Sequence, residues 1–173
     1  MVTTPADLSA IMIKLPPTDH VRVAEFAHGG PDLDEDRLGG VWTHYESVTG
    51  RRPLITLHQA RLGETTFGDE DLNGVWCGRP PLFAAAEDAH GALGVFHRAL
   101  MGHGLLYVDP AHPHWRVLGA PDDVLDALGA TGFSFVRVRP EPDHPGVLAV
   151  KKLRCCEDGS PLYDRQAVLR STP

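Results

Sequence analysis

Five of the ten histidines of this chain lie between residues 90 and 114, with Asp109 among them and Glu87 just before them. Histidine is the commonest metal ligand and the usual acid or base near neutral pH. In an extended loop, His112 and His114 would point to the same side, with Asp109 close by. Such a ligand set suits zinc or another borderline divalent ion. We therefore predict Asp109, His112 and His114 as metal ligands; the alternative is a proline-rich surface loop whose polar side chains face water.

A second group of side chains in this stretch could carry acid/base chemistry. Glu87 and His90 are three residues apart on a predicted helix and share one face. His97 lies two turns beyond His90, about 10 Å away, which is too far for the two histidines to share one ion. If the helix approaches the 109–114 loop, the three side chains could move protons. We predict Glu87, His90 and His97 as catalytic residues of such a site.

An acidic pattern occurs twice, as Asp34–Trp42 and as Asp69–Trp76, and each copy ends in Gly-Val-Trp. The second copy matches the start of an EF-hand calcium loop, but Pro80 stands where that loop needs a glutamate. Acidic turns or helix starts are the better interpretation, with the tryptophans as core anchors. If the copies are related elements, both tryptophans should be largely buried and both copies should begin similar structures.

Established catalytic and nucleotide-binding motifs are missing from the sequence. It has no Gly-x-Ser-x-Gly elbow, no P-loop and no Gly-x-Gly-x-x-Gly fingerprint. The adjacent Cys155 and Cys156 fall in a predicted strand before an acidic turn, which would not favour a thiolate. The three cysteines do not make a disulfide framework, and Met1–Ala10 does not resemble a signal peptide. We therefore expect a cytoplasmic protein.

Charge and hydropathy restrict the partners. The formal net charge of −7 disfavours nonspecific binding to nucleic acid, which depends on neutralising phosphates. Lys151, Lys152 and Arg154 form only a small basic group. No apolar run approaches the roughly 20 residues that a membrane span needs. The expected partner is a protein or a small-molecule ligand. We expect no membrane association, and the net charge argues against nucleic acid.

Hydrophobic spacing and turn residues predict the elements that must position these side chains. The predicted helices are 34–48, 82–100 and 121–128. The predicted strands are 9–15, 20–27, 54–62, 105–108, 115–118, 133–139, 147–155 and 162–169. Residues 63–81 are rich in Gly, Asp and Pro, which predicts a loop.

This order of elements predicts one α+β domain over residues 1–173. Its sheet would be mainly antiparallel, with a C-terminal three-strand meander and two longer helices packed on it. The missing motifs favour a soluble cytosolic binding or interaction protein. The alternative is a small metal-dependent or acid/base enzyme, hydrolase-like, that uses the residues between 87 and 114.

Overall fold

The computed structural model describes residues 18–27, 35–139 and 146–151. The elements within them, in chain order, are β1 (His20–Ala27), α1 (Glu35–Thr49), β2 (Leu54–Ala60), β3 (Leu72–Arg79), α2 (Ala86–Ala99), β4 (Leu100–Val108), a 3-10 helix (Pro113–Val117), α3 (Pro121–Thr131), β5 (Phe133–Arg139) and β6 (Gly146–Lys151). None of the described helices is long and apolar enough to cross a membrane.

The described strands form one sheet in the order β2-β1-β3-β4-β6-β5. The first four are mutually parallel, and β6 runs antiparallel between β4 and β5. The predicted α+β fold with a mainly antiparallel sheet is therefore wrong; the architecture is a mixed, mostly parallel α/β sheet. The physical reason lies in the connections, because α1 and α2 are crossovers of the length that parallel strands require.

Strand β3 is the element that sequence patterns missed, because it lies inside the predicted 63–81 loop. Its residues from Leu72 to Cys77 are all buried, so the strand has no polar face to produce an alternating pattern. Asn73 in this strand would discourage a strand prediction. Its side-chain oxygen accepts the Arg22 backbone N–H at 2.8 Å, so the polar group is satisfied inside the sheet.

Two hydrophobic layers hold the sheet between the helices. On one face α2 and α3 pack against the strands, with Phe96 and Leu128 fully buried. On the other face α1 places Val41 and Tyr45 against the sheet, beside Val23 of β1. Helices on both faces exclude water from the parallel strands, which explains their nearly continuous apolar sequences.

Several predicted elements are confirmed, and others change type. Strands β1 and β5 match their predicted bounds, and the three predicted helices appear with ends shifted by a few residues. The predicted strand 115–118 is wrong, because Pro113 begins a 3-10 helix there. The antiparallel β5–β6 pair of the predicted meander is present. The predicted strands 9–15 and 162–169 lie outside the described residues.

The two acidic copies form different elements, so the sequence repeat is not a structural one. The first lies at the start of α1, whereas the second is a turn that leads into β3. In that turn three carboxylates meet three cations from separate elements. The ion pairs are Asp69–Arg98 at 3.3 Å, Glu70–Lys151 at 3.6 Å, and Asp71–Arg22. Through these ion pairs, the acidic turn contacts α2, β6 and β1.

Candidate functional site

The order of the strands creates a crevice at one edge of the sheet. From β1 the chain crosses through α1 to β2 on one side, then returns past β1 to β3 on the other side. The connections after β1 and β3 therefore leave in opposite directions. In open α/β sheets, ligands bind outside the carboxyl ends of the strands at such a switch point. Here those ends are Ala27 of β1 and Arg79 of β3, which are paired in register.

The loop that follows β4 is fastened to the end of β3 at this edge. His114 Nδ1 lies 2.7 Å from the Pro80 carbonyl oxygen, one residue beyond β3. At the start of the loop, Asp109 Oδ1 accepts the Ala111 N–H at 3.0 Å. The structure therefore brings Asp109, His112 and His114 to the carboxyl edge, next to the strand that borders the switch point.

The two loop histidines have complementary protonation patterns. A carbonyl oxygen only accepts hydrogen bonds, so Nδ1 of His114 must carry the proton that it shares with Pro80. His112 Nδ1 instead accepts the His114 backbone N–H at 3.2 Å, which places the proton of a neutral His112 on Nε2. His112 thus presents an N–H donor at Nε2, while neutral His114 keeps a lone pair there.

Burial controls the charge of this loop. It lowers the pKa of His112, with the charge of His114 adding to the effect and that of Asp109 opposing it. Burial also raises the pKa of Asp109. Both shifts disfavour the charged form, as expected where water is partly excluded. His112 is consequently neutral at pH 7.

A metal centre is not supported by the arrangement. Within residues 18–27, 35–139 and 146–151, no group of three or more His, Cys, Asp or Glu side chains could hold a metal ion. The expectation of a metal-binding cluster is therefore corrected, and no finding supports zinc. The physical reason is the tautomer of His112: its Nδ1 accepts the His114 backbone N–H, so Nε2 of the neutral ring carries a proton and has no lone pair for a metal ion. The individual ligand roles of Asp109, His112 and His114 stay predictions.

The predicted catalytic residues on α2 are spread over the helix. Glu87 and His90 are exposed. His97 is partly buried at the other end, where its ring meets Phe133 edge-on with centroids 5.1 Å apart. That end of α2 adjoins β4 at its amino end, away from the 109–114 loop. The catalytic roles of Glu87, His90 and His97 stay predictions, but the structure does not gather the three side chains into one site.

A row of side chains beside the switch point was missed by sequence reasoning. Glu25 of β1, Trp76 of β3 and Tyr107 of β4 are paired in register across three adjacent strands. The Trp76 and Tyr107 rings stack, with centroids 3.8 Å apart and an interplanar angle of 11°. All three side chains are buried. No local pattern indicates this row, because β3 is buried without the alternation that marks a half-buried strand.

A cavity of about 560 Å³ lies at the opposite edge of the sheet. It is lined by residues that precede β1 and β2, among them Asp19, Arg51 and Arg52. Size alone would favour this cavity as a ligand site. The carboxyl edge is the better candidate, because the strand order reverses there and the polar side chains of the loop after β4 lie beside it.

The lowered histidine pKa values predict how stability depends on pH. Burial lowers the pKa of His97, and the charge of Lys151 adds to this; His112 shifts in the same direction. As pH falls, the unfolded chain, whose histidines titrate near about 6.5, takes up protons before the folded one. The contribution of these histidines to the free energy of unfolding should therefore be complete above about pH 6.5. It should be lost as pH falls from there through the folded-state pKa values.

Urea unfolding at about pH 7 and about pH 5.5 measures this decline. His97→Gln should make the decline shallower. His90→Gln, an exposed change on the same helix, is the matched control and should leave the slope unaltered. If the free energy of unfolding fell equally with pH in the His97→Gln and unmodified proteins, the lowered pKa of His97 would not be a cause of the decline.

Comparison with known proteins places the fold. No family model matches the chain, and no curated protein matches it. A structure from Listeria monocytogenes, described as an S-adenosylmethionine dependent methyltransferase, matches with a TM-score of 0.51 and 13% identity, over 84% of this chain and 96% of that one. The 1,6-didemethyltoxoflavin-N1-methyltransferase of Burkholderia thailandensis, solved with S-adenosylhomocysteine bound, also reaches 0.51, with 15% identity over 86% and 76% of the two chains.

A protein of Bordetella parapertussis described as exported has the same TM-score of 0.51, with 16% identity over 86% of this chain and 67% of that chain.

Together the matches define the class of fold, a Rossmann-like α/β sheet of the kind found in S-adenosylmethionine-dependent methyltransferases. Likeness at these identities shows the fold alone. It nevertheless overturns the predicted α+β binding or interaction protein and its metal-dependent, hydrolase-like alternative.

Proposed function

We propose that this chain is a methyltransferase-like protein that binds S-adenosylmethionine at the switch point between β1 and β3. The observation that carries the proposal is the strand order, with antiparallel β6 inserted between β4 and β5. The methyltransferase structures from Listeria and Burkholderia share this fold with the chain. A small-molecule methyl acceptor fits the carboxyl edge, where open α/β sheets bind ligands.

Residues at the ends of β1 and β2 suit the nucleoside part of such a donor. In the sequence, Gly29 and Gly30 come two and three residues after the last residue of β1, and glycine permits a close approach of backbone to ligand. Gln59 is exposed near the carboxyl end of β2 and pairs in register with Glu25. Its amide both donates and accepts, which suits a ribose hydroxyl pair. We assign Gln59 this role.

His114 is the residue we assign to proton transfer. When bound, S-adenosylmethionine supplies an electrophilic methyl group on a sulfonium. A hydroxyl or amine acceptor must lose a proton as it attacks, so a base within hydrogen-bond reach speeds the transfer. Neutral His114 offers an Nε2 lone pair, because its Nδ1–H is held by Pro80. His112 offers an N–H at Nε2 and is suited to hold an acceptor oxygen in place.

Binding of S-adenosylhomocysteine tests the proposal without knowledge of the acceptor. Isothermal titration calorimetry should give a dissociation constant on the order of micromolar, and ligand at about 100 times that value should stabilise the fold by about 2.7 kcal/mol. Gln59→Ala should weaken binding by about tenfold, the effect of one or two lost hydrogen bonds. Arg52→Ala, at the opposite cavity, is the control and should bind normally.

Absence of binding heat and of thermal stabilisation at about 1 mM ligand would reject the proposal. Loss of binding in Arg52→Ala, with normal binding in Gln59→Ala, would move the site to the amino edge of the sheet.

A further inference from the structure

The indole N–H of Trp76 is a buried hydrogen-bond donor with no acceptor among the residues that the structure describes. The side chain is only 4% exposed, and within the described part of the chain no hydrogen-bond partner meets Nε1. Buried donors in folded proteins nearly always have an acceptor, because an unmet one is costly. An unpaired donor of this kind in a native fold calls for an explanation, and an absent ligand is one.

The position of Trp76 points to the crevice. Trp76 lies on β3 and is paired in register with Glu25 of β1. These two strands border the switch point. One face of its indole is stacked on Tyr107, which fixes the ring plane. The N–H of Trp76 can therefore point only within this plane.

Gly78 shows which direction that is. Two residues after Trp76, it lies on the same side of β3 and nearer the carboxyl end. A Cβ atom built on Gly78 would lie 3.1 Å from Trp76 Nε1. The N–H edge thus faces the carboxyl end of the strand. Because residue 78 has no side chain, it does not fill the space in front of the N–H.

We infer that Trp76 is a ligand-positioning residue whose Nε1–H donates a hydrogen bond to the carboxylate of the methyl donor. The inference rests on the proposed function and assigns one contact within it. An indole N–H only donates and an ionised carboxylate only accepts, so the two groups are complementary. A bond from a buried neutral donor to a charged oxygen is also among the stronger hydrogen bonds in proteins.

The test observes the indole N–H groups directly. Protein labelled with 15N-tryptophan gives separate indole signals for Trp42, Trp76 and Trp115, and Trp76→Phe assigns the second. S-adenosylhomocysteine should move the Trp76 proton downfield and slow its exchange with water. Trp115, buried in the opposite layer against Phe83, is an internal control that should not move. The probe 5′-methylthioadenosine, which has no carboxylate, should leave the Trp76 signal in place.

Affinity gives a second measurement. Trp76→Phe keeps a ring to stack on Tyr107 but removes the N–H, and should weaken S-adenosylhomocysteine binding by about tenfold. It should leave 5′-methylthioadenosine binding unchanged. Gly78→Ala, which places a methyl group in front of the N–H, should weaken S-adenosylhomocysteine similarly. Gly94→Ala, on an open surface of α2, is the matched control.

Each result decides between the two proposals. If S-adenosylhomocysteine binds but the Trp76 signal does not move, the Trp76 assignment is wrong and the proposed function stands. If 5′-methylthioadenosine moves the signal equally, the acceptor is not the carboxylate and the inference fails. If S-adenosylhomocysteine does not bind at all, the proposed function fails and the inference fails with it.

Discussion

Replacing Trp115 with alanine is expected to lower the free energy of unfolding by about 3–5 kcal/mol. The side chain is fully buried in the layer formed with α2 and α3, and its ring packs on Phe83 with centroids 5.1 Å apart. Truncation removes this apolar contact and leaves a cavity beneath the loop that carries His114. Urea unfolding monitored by far-UV circular dichroism measures the loss.

Trp115→Phe separates packing from hydrogen bonding. Nε1 of Trp115 has no hydrogen-bond partner in the described residues, so the phenylalanine variant loses no bond. We expect a cost of less than about 1.5 kcal/mol for this change, since an aromatic ring is kept. Trp42→Ala, at a partly buried position on α1, should cost less than Trp115→Ala. Equal losses at the two tryptophans would contradict the burial argument.

Replacing His114 with glutamine is expected to slow methyl transfer by about 100-fold, the usual contribution of a positioned base. Glutamine can still donate a hydrogen bond to the Pro80 carbonyl, but it offers no basic nitrogen. The affinity for S-adenosylhomocysteine should stay within about twofold, because the change removes a base rather than a contact to the donor. Turnover is measured with an acceptor identified from a panel of small hydroxyl- and amine-bearing compounds.

His90→Gln is the informative comparison for the His114 variant. His90 was predicted as catalytic from its spacing, yet it is exposed on α2. Normal turnover in His90→Gln with slow turnover in His114→Gln would support the carboxyl-edge site. The reverse result would return the chemistry to the helix and would reject the base assignment at His114.

Local patterns in the sequence were sufficient for most elements but not for their pairing. The apolar stripe of α2 and the alternation of β5 give clear periods, and both elements are present. Parallel or antiparallel pairing is not a local property. It depended on β3, which carries Asn73 and two glycines and is buried along most of its length. Without β3, the order of the remaining elements does not predict a parallel sheet.

The sequence predicted one part of the candidate site, the loop after β4. Asp109, His112 and His114 follow a predicted strand, and loops at strand ends often carry function. The tautomer of His114 could not be predicted, because it depends on Pro80, a residue distant in sequence, and that of His112 depends on the local conformation of the loop. Trp76 was expected to be a core anchor, and its burial agrees with that. Its unpaired N–H is visible only in three dimensions.

The position of β1 between β2 and β3 also bears on how the chain folds. Its hydrogen-bond partners on one side belong to β3, and α1, β2 and residues 61–71 lie between them in the sequence. Pairing between strands so distant in sequence slows folding. The intervening segment must lose conformational entropy to bring the two strands together before their contacts can stabilise the pair. During synthesis, β1 cannot complete its pairing with β3 until residue 79 has left the ribosome. The crevice between β1 and β3 therefore cannot exist in any nascent chain that ends before β3.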